Sequence, residues 1–532
     1  MLAKALKTIS IAAVLTLTLT ACVSSVAEPV DVSLDSEFLN SLPTPNVTPN
    51  GNIKDKPDVN WTTLEEFYGQ SLDWVECGEG EFLCSPVFAP KDWDNPSAGL
   101  VYLALFKQKA TGEPMGTLLV NPGGPGASGI DLLYFAGDYI TTAAVREKYD
   151  VVGFDPRGVG YSDAIYCGDG ELLDRAFLSP GEAKDVGSAK SLAEAQEIGS
   201  RLAQACEQGS GDLLGYVDTI SSARDMDLIR HLVGDEKLNF LGFSYGTQLG
   251  ATYAALYPEN VGRLVLDAAV DPTQSKEEGT LGQAGGFELA FGNFVDNCLK
   301  TNTCPGEGTT KAQVLSDVKK FLESLESKPL PTKLDLDLSV WMGLTGIIAN
   351  LYSKGNWSEL ATALDAGFNG DGTPLLRSTY RYFERNETGE YMNNLFVANV
   401  AINCMDGRYS QDPKAIEASN KAIYAATPTF GKYFANPHIS CYNWKYPAKD
   451  ATKLDYRVKL NYPVLVIGTT GDPATPYKNA VGLSKLLNRA VLITYEGEGH
   501  TVYAGNSACV DNTVDAYLLE GIVPEESVTC KN

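Results

Sequence analysis

The run Lys237-Leu-Asn-Phe-Leu-Gly-Phe-Ser-Tyr-Gly-Thr247 decides how the rest of the chain is read. Lys237–Leu241 has the apolar, β-prone character of a buried strand, and Thr247–Tyr257 has the spacing of a helix. Between them stands Gly242-Phe-Ser-Tyr-Gly246. Glycines two residues either side of a serine suit a strained strand-to-helix turn, where larger side chains would collide and the hydroxyl projects outward as a nucleophile. Gly-x-Ser-x-Gly by itself is a weak signal in a glycine-rich chain. The strand before it and the helix after it make it specific, and Ser244 is the expected nucleophile.

Outward from this turn, apolar runs alternate with helical stretches. The runs are Thr117–Val120, Tyr149–Phe154, Arg263–Leu266, Tyr462–Ile467 and Ala490–Thr494; the helical stretches include Ile130–Phe135 and Val510–Leu519. Such alternation predicts an α/β fold with a mostly parallel sheet covered on both faces. Residues 272–455 break the pattern and keep helical periodicity almost throughout. Thr310 with Gln313, and Asn356 with Glu359, read as capping boxes, while Val314, Val318, Leu322 and Leu325 share one helical face and belong to a core. The expected organisation is an α/β body in two parts, 59–271 and 456–532, with 272–455 as a helical insertion capping its active edge.

A serine hydroxyl needs a base, and the chain has three histidines. His231 lies in the helical stretch Asp227–Leu232, and His438 sits in a loop near Cys441. His500 follows the last apolar run in Glu496-Gly-Glu-Gly-His500, at a strand's C-terminal end, where α/β sheets place their sites. It is the expected base. Asp472, in Gly468-Thr-Thr-Gly-Asp-Pro-Ala-Thr-Pro476, ends the preceding run and is the expected orienting acid, with the Thr475 hydroxyl within reach of its carboxylate. The glycines of Asn121-Pro-Gly-Gly-Pro-Gly-Ala-Ser-Gly129 let backbone amides approach an oxyanion, with the N–H groups of Gly124 and Tyr245 as the pair. The same loop, as Gly124-x-Gly126-x-x-Gly129 followed by Asp155, also fits a dinucleotide fingerprint. The serine constellation occupies that sheet edge already, and an exported chain has little access to NAD, so no cofactor is expected. Asp155-Pro-Arg-Gly158 reads as a structural turn with Arg157 in an internal ion pair. With so few histidines and no Cys-x-x-Cys, no metal site is expected.

The 532 residues carry 42 Lys+Arg against 67 Asp+Glu, a net charge of −25. Nothing in this composition assembles the basic surface that phosphate binding requires, so nucleic acid is excluded as a partner. Lys4 and Lys7 precede an apolar run, Ile9–Leu19, which reads as a signal peptide ending at residue 21. Leu19-Thr-Ala-Cys22 resembles a bacterial lipobox, making Cys22 the expected site of lipidation, against the plainer reading of an ordinary secretory signal. Residues 22–58, rich in Ser, Pro, Asn and Asp, then read as a flexible tether. With Cys22 set aside, ten cysteines remain for up to five disulfides. Spacing leaves the connectivity open; pairing neighbours is the simplest arrangement.

The assembled motifs resemble the α/β-hydrolase fold and, within it, the secreted tripeptidyl aminopeptidases of actinobacteria, relatives of proline iminopeptidase. Gly123–Gly129, Asp155–Gly158, Gly242–Thr247 with Tyr253-Ala and Tyr257-Pro, Asp472–Pro476, and Gly499-His-Thr501 carry the resemblance. Ala401-Ile-Asn-Cys-Met-Asp406 and Cys441-x-x-Trp444 add to it. Pro122 stands where proline iminopeptidases usually have His, which favours the tripeptidyl branch. The resemblance implies a lipid-anchored serine exopeptidase on the outer face of the cell membrane. It would take peptides by their free amine under the helical insertion and release a short N-terminal unit. Asp406 is the first choice for the carboxylate that meets the amine, with Glu288 and Asp365 as further candidates. The same triad suits a carboxylesterase or lipase, and a lipoprotein that binds peptides without cleaving them is the third reading.

Overall fold

The computed structural model describes residues 60–78, 82–180 and 185–531. The expected leader, Cys22 and the tether to residue 58 lie outside the described residues. No helix among the described residues is long and apolar enough to cross a membrane.

Among the described residues, ten strands, numbered in chain order, form one sheet in the order β1-β2-β3-β5-β4-β6-β7-β8-β9-β10. From β5 (Asp150–Phe154) through β4 (Thr117–Asn121), β6 (Leu238–Phe243), β7 (Val261–Asp267), β8 (Val464–Gly471), β9 (Ala490–Glu498) and β10 (Val528–Lys531), every pairing is parallel. These strands are apolar at successive residues because both faces are covered. Leu119, Phe240, Leu264 and Val466 pack into the core on one face, while Leu118, Leu241, Val265 and Ile467 pack into the core on the other. The strand period of two thus feeds two cores at once.

The sequence reading placed no strand before Thr117, and the structure has three there. β1 (Val75–Cys77), β2 (Phe82–Pro90) and β3 (Leu100–Gln108) extend the sheet by antiparallel pairing, and β3 joins β5. Pro86 and Pro90 disguise β2, since proline removes a ladder donor. The structure tolerates them because β1 pairs only Phe82–Cys84, which leaves β2 an edge strand from Ser85 onward.

Between β7 and β8 the chain leaves the sheet for a succession of helices from Lys276–Thr301 to Pro413–Ala426. They bury a core of their own around Phe291, Phe294, Val314, Val318, Leu322 and Leu325. Thr310 and Gln313 form a reciprocal capping box. Asn356 does not cap: it adopts φ −86° and ψ −1° with no side-chain bond, because Ser353 already starts a short 3₁₀ turn there and accepts from the Gly355 N–H. Five disulfides join Cys77–Cys84, Cys167–Cys206, Cys298–Cys304, Cys404–Cys441 and Cys509–Cys530.

The sheet also fixes where a site can form. β4 is flanked by β5 on one side and β6 on the other, so the chain's direction of travel reverses there. Crevices at the C-terminal ends of such strands are where open α/β sheets bind ligands. The loops leaving β4 and β6 carry Gly124 and Ser244.

Candidate active site

Ser244 has φ 55° and ψ −123°, a left-handed conformation that a non-glycine residue holds only when its surroundings enforce it. Three contacts enforce it. Its N–H donates to the Asp267 carbonyl at 2.9 Å, and its own carbonyl accepts from the Thr247 N–H at 2.9 Å and from the Thr247 hydroxyl at 2.6 Å. The turn also needs bare backbone. A Cβ on Gly246 would lie 2.7 Å from the Asn121 carbonyl oxygen, and one on Gly123, at φ 100°, would lie 2.5 Å from that of Phe243. The loop after β4 is therefore pressed directly against the elbow after β6. Tyr245 opens the helix Tyr245–Leu256, so its N–H has no intrahelical acceptor, and it lines the same cleft as Gly124 and Ser244.

The loops after β8 and β9 bring Asp472 and His500 together. His500 Nδ1 lies 3.0 Å from both carboxylate oxygens of Asp472. The carboxylate is buried and held from the other side by the N–H groups of Ala474 and Thr475 at 2.9 Å and by the Thr475 hydroxyl at 3.0 Å. With its proton on Nδ1, the imidazole presents Nε2 as a base. Burial works against the imidazolium, but the charge and hydrogen bond of Asp472 and the charge of Asp267 hold the His500 pKa above the ordinary value. Ser244 and His500 are not hydrogen bonded to each other, a contact that free enzymes often complete only around substrate.

Asp267, which the sequence reading missed, connects these two halves. Its carbonyl takes the Ser244 N–H, and its buried carboxylate accepts from the N–H groups of Val502 and Tyr503 at 2.9 Å each. Burial raises its pKa, and the two amides and His500 oppose the rise. The helical insertion also grips the histidine loop. The His500 N–H donates to the Tyr352 carbonyl at 2.8 Å, and the two rings meet edge to face at 5.4 Å.

A cleft of about 590 Å³ opens over Ser244, walled by Gly124, Tyr352, Thr475 and Asp406 among others. Of the three carboxylates expected to meet an amine, only Asp406 lines this cleft. Burial pushes its pKa up to about 6, against the charge of Lys276 and hydrogen bonds from Thr219. Glu288 is instead spent on Thr427 and Thr429, accepting from both hydroxyls and one N–H. Asp365 is on the surface, accepting from the Gly306 N–H. Both expectations are corrected: these side chains satisfy local backbone and hydroxyl donors away from the cleft. The other histidines stay outside it too. His231 packs edge-on against Tyr68 at 5.2 Å, and His438 belongs to the 3₁₀ turn Pro437–Cys441.

The family described as TAP-like protein matches residues 427–530. Serine protease Hip1 of Mycobacterium tuberculosis is 35% identical over 483 residues, covering 87% of this chain and 91% of that protein. The chain belongs to the TAP-like family of α/β hydrolases. Carboxylesterase B of Mycobacterium tuberculosis is 34% identical over 480 residues, covering 89% of this chain and 90% of its own. Tripeptidyl aminopeptidase of Streptomyces lividans is 30% identical over 481 residues, covering 86% of each. Within this TAP-like hydrolase, the Asp155 turn serves the loop after β4. Asp155 accepts from the Ser128 hydroxyl at 2.7 Å and from the N–H groups of Ile130 and Tyr161, which pins the end of that loop. Arg157 forms a fully buried ion pair with Asp225 at 2.6 Å.

Proposed function

We propose that this protein is an exported serine exopeptidase that releases short N-terminal units, tripeptides by the family resemblance, from peptides. The observation that carries the reading is the strained Ser244 lining a capped cleft, with the His500–Asp472 pair beyond the same-direction ends of β9 and β8. In this mechanism the Ser244 hydroxyl attacks the peptide carbonyl while His500 Nε2 takes its proton. Asp472 keeps the imidazole oriented and stabilises the imidazolium. The N–H groups of Gly124 and Tyr245 receive the oxyanion, an arrangement worth about 3–4 kcal/mol per donor in the transition state. His500 returns the proton to the leaving amine, and water then releases the acyl group by the same path in reverse. Asp406 meets the substrate's ammonium under the helical insertion. Lipidation of Cys22 holds the enzyme at the outer face of the membrane.

A second reading, carboxylesterase, is favoured by the relative named carboxylesterase B. The deciding experiment compares a tripeptidyl nitroanilide, its N-acetylated form and a short nitrophenyl ester. The exopeptidase reading expects turnover of the free peptide and little of the blocked one; equal turnover of both would reject it, and hydrolysis of the ester alone would select the esterase. Ser244→Ala is expected to reduce every activity by at least about a thousandfold. Retained activity would move the nucleophile elsewhere.

A further inference from the structure

Two cations stand in the Ser244 cleft without a direct ion pair among the described residues. Lys276 is the first residue of the helix Lys276–Thr301, and Arg408 follows the helix Leu395–Asp406; both line the cleft together with Ser244 and Gly124. Lys276 Nζ donates to Asn403 Oδ1 at 3.0 Å, and it makes no ion pair among the described residues. Arg408 donates from Nη2 to the Tyr446 carbonyl, while its buried Nη1 has no partner. An ammonium carries three donors and a guanidinium five, so most of this capacity is unspent.

The helix start sharpens the point. The first turn of a helix favours acids, and this one has them: Glu278 closes a capping box with Ser275, and Glu277 accepts from the Ser410 N–H at 2.6 Å. Lys276 precedes them both, at the first position of the helix and against its dipole. Its stem runs along the bare backbone of Gly407, where a Cβ would come within 3.1 Å of Cε. Burial lowers the pKa of Lys276 and of Arg408 alike. A desolvated cation, poorly supplied with acceptors and placed against a dipole, is destabilising unless something else brings negative charge.

The carboxylates nearby are already engaged. Asp406 accepts from the Thr219 N–H and hydroxyl, one on each oxygen. Asp450 pairs with Lys453 at 3.3 Å, and Asp271 accepts from the N–H and hydroxyl of Thr273. Asp406 and Asp450 ease the burial of Lys276 through space, but neither bonds to it.

We propose that Lys276 and Arg408 form an anion subsite that takes a carboxylate of the substrate, either an acidic side chain or the C-terminal carboxylate of a short peptide. The assignment rests on hydrolysis through Ser244 and extends it from the bond cleaved to the class of substrate. With Asp406 beside the two cations for the ammonium, the enclosure then holds partners for both charges of a zwitterionic peptide.

Three matched pairs test this on the full-length enzyme: tripeptidyl nitroanilides with Glu or Gln at each position, a free pentapeptide or its C-terminal amide, and the nitrophenyl monoester of glutaric acid or its methyl-capped diester. At least one pair is expected to favour the carboxylate by about tenfold or more in kcat/KM, mainly through KM, the worth of one charge-assisted hydrogen bond. The first two pairs tell which carboxylate is meant. That preference is expected to fall towards unity in Lys276→Met and in Arg408→Met, and to return in part in Lys276→Arg. A wild-type enzyme indifferent to the carboxylate in all three pairs overturns the subsite, whether or not the variants fold. So does a preference that survives both methionine variants. A carboxylate preference confined to the esters, with no peptide cleaved, supports the subsite and rejects the peptidase.

Discussion

At the scale of single residues, the proposed chemistry turns on side chains that differ in how they can be found. Ser244, Asp472 and His500 were legible because each follows an apolar run and is framed by glycine or proline. Asp267 was not, although it too ends a strand. An acid after Val261–Leu266 looks like any strand terminus until the fold places it beneath both the elbow and the histidine loop. Its charge helps hold the His500 pKa up, so its removal has a definite sign. Asp267→Asn is expected to lower the His500 pKa, leaving the base neutral at more acidic pH, and to move the acid limb of the kcat/KM profile to lower pH. A loss of activity at every pH with the limb unmoved would reduce Asp267 to a packing role. Asp472→Asn removes the acceptor that fixes the imidazole tautomer, and kcat is expected to fall by about 10⁴ with the fold intact by circular dichroism.

Among helices and strands, legibility followed how local the cause was. The Thr310 cap could be read because its partner stands three residues on in an otherwise regular helix. The Asn356 cap was misread because the 3₁₀ turn begun by Ser353 consumes the same residues. The contrast is measurable: Thr310→Ala is expected to destabilise by about 1 kcal/mol in chemical denaturation, and Asn356→Ala to leave the midpoint nearly unchanged. The helix Leu395–Asp406 was noticed only through its last residues, Ala401–Asp406, since the role of its first half depends on distant partners. Asn399 donates to the Pro125 carbonyl at 2.9 Å, which places this helix directly on the loop that carries Gly124. Asn399→Ala is expected to lower kcat more than it raises KM, by roughly ten- to a hundredfold, as for small misplacements of oxyanion donors.

Across the whole molecule, continuous apolar runs made the parallel strands plain except the short β10, while β1–β3 escaped notice because the prolines of β2 and the antiparallel pairing of all three make sense only once the sheet is assembled. Besides the pairing of β3 with β5, a buried guanidinium ties that extension to the body. Arg157 donates to the Pro90, Lys91 and Tyr216 carbonyls as well as to Asp225, and Trp93 donates to the same carboxylate. Arg157→Met strands the Asp225 charge and is expected to destabilise by about 3–5 kcal/mol, read as a lowered unfolding midpoint. The cysteine bridges follow another logic. Each joins nearest neighbours along the chain, and the widest spans 39 residues. None of the five links the helical insertion to the sheet. A polypeptide threaded outward from its N-terminus can therefore seal each bridge soon after the second cysteine appears, before the next pair emerges to compete. Oxidation then needs no reshuffling of wrong partners, and the insertion over Ser244 is held to the body by packing and ion pairs, such as Ala398 in the shared core and Arg385 on Asp174, and by no covalent bridge among the described residues.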